Sequence, residues 1–180
     1  MSLRNVNLAD LVAADLPGYQ RRTAEQGAVH FDPDNGGMPL EMTQKVERRF
    51  LGRTTVARFH STLVSPADKC RLVIRHKGFR RRAGIEVSVV EGGVFASAIA
   101  LKLEDDRDLI QAIAPLDFKR FELRSDGETW RTTVELVGAS LVAIAFPPIR
   151  SYVRLYPDQR SALISTFHSV SRALEAFKVP

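Results

Sequence analysis

Apolar positions recur along the chain with two periods, and each period predicts its own kind of element. Residues 7–16 place Leu8, Leu11, Val12 and Leu16 on one helical face, and Pro17-Gly18 ends that helix. Over residues 157–178, Leu163, Phe167, Val170, Leu174 and Phe177 repeat at spacings of three and four and predict the strongest helix of the chain. A shorter helix is predicted within 105–116, with Asp105 or Asp106 as its N-cap and Leu109, Ile110 and Ile113 as its apolar positions. Elsewhere the period falls to two. Residues 18–31 read as two short strands, followed by a Gly- and Pro-containing loop at 32–39. Strands are predicted at 42–51 and 54–64, joined near Gly52, and again at 70–79 and 84–91. Residues 118–138 give the clearest hairpin: Phe118, Phe121 and Leu123 precede the turn dipeptide Asp126-Gly127, and Trp130, Thr132, Val134 and Leu136 follow it. Residues 140–146 read as a separate buried strand stopped by Pro147-Pro148, and 151–156 as a short last strand. Residues 94–103 read both ways, because Val, Phe and Ile favour strand while the alanines favour helix.

Many strands joined by short turns, with helices at the ends and one between, define an α+β class. The expected architecture is a single domain over residues 1–180, with a predominantly antiparallel sheet and N-terminal and C-terminal helices packed on one face or closing one end. At 180 residues and 44% hydrophobic composition, the core needs neither disulfide nor metal. Cys70 is the one cysteine, so no intrachain disulfide forms, and the chain reads as cytoplasmic. The longest apolar run, 137–149, is too short to span a bilayer and contains the Pro-Pro pair, so no transmembrane segment is expected.

Several stretches of the last third carry a resemblance. "LDFKRFEL", "DGETW", "GAS", "PPIRSYVRL" and "PDQRSALISTF" resemble a bacterial family of proteins of unknown function, clearest over residues 110–180. The resemblance implies no activity, and its motif positions fall on hairpin and helix scaffold.

Catalytic signatures are absent. There is no Gly-x-Gly-x-x-Gly and no phosphate-binding Gly-Lys-Ser/Thr loop, and the "GASLV" around Ser140 lacks the second glycine of a nucleophile elbow. Cys70 lies in an apolar strand pattern and reads as a buried inert thiol, although Lys69 and Arg71 beside it keep a reactive reading open. His30, His60, His76 and His168 are scattered without metal-ligand spacing. The acidic run "EDDRD" fits a helix N-terminus, where acids are stabilised, better than a cation site. No cofactor and no metal is expected, and no catalytic residue is assigned.

Charge changes the picture most. Residues 44–82 hold 12 basic and 2 acidic residues, while both flanking segments are mildly acidic. The densest stretch is "RHKGFRRR" at 75–82. Strand alternation puts Lys45 and Arg49 on one face of the first strand of this segment, turns Arg58 and His60 outward on the second, and aligns Arg71, Arg75 and Lys77 on the third. If these strands are neighbours, Lys45, Arg49, Arg58, Arg71, Arg75 and Lys77 line one basic sheet face, extended at a turn by Arg80, Arg81 and Arg82. Such a face suits a polyanion: nucleic acid, anionic lipid or an acidic protein. The bland account is a solvated strand end and turn, because Arg outnumbers Lys 20 to 6 throughout the chain. The expected function is therefore that of a non-enzymatic binding protein with an anion or nucleic-acid site at 44–82. Two other classes stand beside it. One is an apolar small-molecule or lipid-binding protein with a pocket between sheet and C-terminal helix. The other is a hydrolase or transferase with a site assembled from distant residues.

Overall fold

The computed structural model describes residues 7–23, 27–78 and 84–177, with Arg49 described by its backbone alone. The described residues form α1 (Leu8–Asp15), β1 (Tyr19–Thr23), β2 (Val29–Pro33), β3 (Leu40–Arg49), β4 (Gly52–Val64), β5 (Cys70–His76) and β6 (Ile85–Glu91). They continue with α2 (Val94–Asp105), α3 (Arg107–Ile113), β7 (Phe118–Ser125), β8 (Thr129–Ile144), β9 (Ile149–Val153) and α4 (Pro157–Glu175). The strands make an antiparallel sheet in the order β1-β2-β3-β4-β8-β7-β5-β6, with β9 paired to the end of β8. The fold is α+β. Contacts divide the chain into two compact units, and β4, β7 and β8 run from one into the other.

The first unit comprises the described residues of Met1–His60, Asp117–Lys119 and Glu135–Arg160. Asn7 caps α1 by accepting from the Ala9 amide at 3.1 Å, and the helix buries Leu8, Ala9 and Val12. Phe31, Leu40, Met42, Val56, Ala57 and Phe59 are fully buried, as apolar strand positions on a covered face should be. One polar group also enters this core. The Asp15 carboxylate accepts from the Tyr152 hydroxyl at 2.8 Å, from Arg154 Nε at 3.1 Å, and from the buried Leu155 amide at 2.9 Å. These bonds fasten the end of α1 to β9 and to the residues that follow it.

That network sets an alkaline limit on stability. Burial, and then the hydrogen bond to Asp15, push the Tyr152 hydroxyl well above the ordinary tyrosine range. The folded state therefore holds a proton that the unfolded chain releases near pH 10, an ordinary tyrosine value. The contribution is complete below that pH and declines as the pH rises past it. Denaturant titrations from neutral to strongly alkaline pH should show this decline. Tyr152→Phe should lose about 1.5 kcal/mol at neutral pH, the worth of a hydrogen bond to a charged group, and should flatten the alkaline fall.

The second unit comprises the described residues of Ser61–Leu116, Arg120–Val134 and Ser161–Pro180. Leu72, Ile74, Phe121, Leu123, Trp130, Val134, Phe167 and Val170 are each 2% exposed or less. Asp126 closes the β7–β8 turn by accepting from the Glu128 and Thr129 amides and the Thr129 hydroxyl. Those donors hold its carboxyl down to about 2.

The ambiguous stretch 94–103 is the helix α2, and its buried positions Ala96, Ile99, Ala100 and Leu103 follow the i, i+3, i+4, i+7 rule. Asp106, not Asp105, caps α3 by accepting from the Leu109 amide at 2.9 Å. The two strands expected over 129–146 are one strand. β8 runs without a break through Gly138 and Ala139, where Ala139 takes a φ of 52°. A side chain at Gly138 would meet the Arg154 carbonyl at 3.0 Å, so glycine allows the close approach of the chain there.

Candidate anion-binding site

β3 and β4 pair directly, from Glu41 opposite His60 to Arg49 opposite Gly52, so the turn between them is only Phe50 and Leu51. β5 is not their neighbour: β8 and β7 stand between β4 and β5 in the sheet order. The condition for one continuous basic face is therefore not met. The intervening strands also bring acids. On the first unit, the Glu135 carboxylate is 3% exposed and accepts from Arg58 Nε at 2.8 Å, with Lys45 Nζ at 3.9 Å. Lys45 also donates to Glu47 at 2.9 Å, and Lys119 stands 3.5 Å from the same side chain. The Lys45 hydrogen bond is the main cause that holds the Glu47 pKa below its ordinary value.

β5 shows the same pattern within the second unit. Arg71 donates to Glu122 at 3.2 Å and lies 3.7 Å from Glu91. Burial works against the Glu122 charge, but Arg120 and Arg71 outweigh it, and the pKa lies below the carboxylate norm. Arg75 and Lys77 are exposed at the end of β5, with Arg75 opposite Glu86 in the ladder. His76 is half-buried there, and its Nε2 donates to the Leu116 carbonyl at 3.0 Å. Arg80, Arg81 and Arg82 lie outside the described residues, as does the Arg49 side chain.

His60 corrects the alternation argument. It is 6% exposed and hydrogen-bonded to Thr43 at 2.7 Å, not turned to solvent. β4 is buried at Val56, Ala57, Phe59, His60 and Ser61 because it is an inner strand, covered on both faces there. Alternation predicts an outward side chain only when one face is wet. Cys70 is 3% exposed, and burial raises its thiol pKa, which disfavours a nucleophilic thiolate.

Two arginines that alternation did not single out remain. Arg48 on β3 and Arg53 on β4 are directly opposite each other, both exposed, with no acidic partner among the described residues. They border an open depression of about 420 Å³ whose floor is Gly52 and the chain at Ala143, Ile144 and Ala145. The floor is close-packed. A Cβ on Gly52 would stand 2.3 Å from the Ala143 carbonyl oxygen, so only glycine lets β4 approach β8 here. The Ala145 amide donates to the Leu51 carbonyl at 2.8 Å and ties the two turns together. The signal for this pair is the strand register, which a hairpin turn of two residues fixes.

Residues 14–174 match DUF3156, a family described as proteins of unknown function. The chain belongs to that family. No curated protein and no solved structure matches it. No helix among the described residues is long and apolar enough to cross a membrane.

Proposed function

We propose that this chain is a non-enzymatic binding protein that takes an anionic, phosphate-like group between Arg48 and Arg53. One observation carries the reading. Lys45, Arg58 and Arg71 each hold a carboxylate, whereas Arg48 and Arg53 face each other across a ladder with none. Like charges directly opposite cost a sheet up to about 1 kcal/mol. A bound anion removes that repulsion and gains charge-assisted bonds to two guanidinium groups. In this reading Lys45, Arg58 and Arg71 are scaffold. Arg75, Lys77, Arg80, Arg81 and Arg82 form a separate basic stretch, with Arg49 next to the proposed pair in sequence. A cytoplasmic setting belongs to the same proposal, supported by a buried, unpaired thiol at Cys70.

Tripolyphosphate at low salt is a suitable probe. It should raise the melting temperature of the wild-type chain in proportion to the logarithm of its concentration, as binding to the folded state requires. Arg48→Gln/Arg53→Gln should melt at or slightly above the wild-type temperature without ligand, and should lose most of the ligand-dependent rise. An unchanged rise in the double variant would sink the proposal.

A further inference from the structure

The depression is flanked by exposed apolar side chains, and this decides between sources of phosphate. Phe50 is fully exposed, Phe146 is 81% exposed, and Leu51 and Ile149 are 56% and 47% exposed. Phe50 and Leu51 form the β3–β4 turn, and Phe146 lies in the β8–β9 turn, next to the Ala145 that bonds Leu51. Large apolar groups at adjoining turns are costly in water and mark an interaction surface. Arg48 and Arg53 each stand two residues back from this tip, which along a strand is about 7 Å. An interfacial element buries its apolar part about 5–10 Å into the headgroup and acyl boundary, with its cations at headgroup depth. Aromatic side chains favour the same boundary.

Resting on the anion-binding reading above, we propose that the paired turns dock on the surface of an anionic lipid bilayer. Arg48 and Arg53 take lipid phosphates, and Phe50, Leu51, Phe146 and Ile149 enter the apolar boundary. The turns carry exposed apolar side chains with the two arginines behind them, an order that complements a headgroup layer.

The test is sedimentation of the full chain with vesicles of phosphatidylcholine alone and of phosphatidylcholine with phosphatidylglycerol, beside a tripolyphosphate titration. The wild type should bind the anionic vesicles and leave the neutral ones. Arg48→Gln/Arg53→Gln should weaken the partition by about 30-fold, given the known worth of basic residues at an anionic surface. Phe50→Ser/Phe146→Ser alters only exposed side chains, so the fold should persist. It should weaken vesicle binding by at least about tenfold, as loss of buried apolar area implies, while tripolyphosphate binding is retained. Absent vesicle binding with tripolyphosphate bound would overturn the bilayer inference alone. It would then favour a soluble phosphate ligand, or a nucleic acid if labelled strands bind. Loss of both would overturn the anion site as well. Vesicle binding that ignores the phenylalanine changes would contradict insertion of the turns.

Discussion

Asp15→Ala is expected to destabilise the protein by about 3–4 kcal/mol, measured by urea unfolding at neutral pH. Its carboxylate is 2% exposed and accepts from Tyr152, Arg154 and the Leu155 amide. Alanine leaves the Tyr152 hydroxyl and the buried Leu155 amide without their acceptor, at about 1–3 kcal/mol each. Arg154 contributes less, because its side chain is 66% exposed and water replaces the lost bond. Asp15→Asn tests the chemistry separately from the shape. An amide has one oxygen, and donors approach both carboxylate oxygens, so its nitrogen must face a donor on one side. A cost of about 2 kcal/mol is expected for the amide. A change of less than about 0.5 kcal/mol in the alanine variant, the level of an ordinary surface substitution, would show that the network does not hold α1 in place.

The second large effect concerns Arg58. Arg58→Ala leaves the Glu135 carboxylate buried, with Lys45 at 3.9 Å as its remaining cation among the described residues. Breaking one side of a buried pair costs about 3–5 kcal/mol, and Lys45 places this case at the lower end. The loss comes from stranding a carboxylate and does not measure the worth of the pair. Replacing both partners, as Arg58→Met/Glu135→Leu, should therefore recover most of the stability. The cycle of two single variants and the double gives the coupling directly. Additive losses would contradict this account.

Helices α1 and α4 were readable because a wet face and a buried face alternate along them at helical period. The β7–β8 hairpin was readable because Asp126-Gly127 marks its turn and period-two positions flank it. α2 was not decided by composition, since its alanines and β-branched residues pull in opposite directions. Packing of Ala96, Ile99, Ala100 and Leu103 settled it. Gly138 inside β8 interrupts the period-two pattern, and a close approach to the Arg154 carbonyl explains the glycine.

The candidate site was legible only in part. Counting charges found the basic segment but missed its neutralisation. Glu135 is 77 residues from Arg58, and Glu122 is 51 from Arg71, so only strand order reveals them. The separation of β5 from β4 is equally invisible to local periodicity. Arg48 and Arg53 acquire meaning only through the register that sets them opposite each other, with Gly52 packed against β8.

The most direct test of the anion site compares two variants of equal charge. Arg48→Gln/Arg53→Gln and Arg80→Gln/Arg81→Gln each remove two positive charges, so any difference reports position and not net charge. Equilibrium binding of a fluorescent polyphosphate over a range of salt concentrations is the measurement. The first variant should bind at least about tenfold more weakly, and its salt dependence should drop by about two contacts. The second should stay within about twofold of wild type, as assignment of the anion to Arg48 and Arg53 requires. Equal losses in both variants, or a larger loss in the second, would contradict the assignment of the anion site to the β3–β4 hairpin.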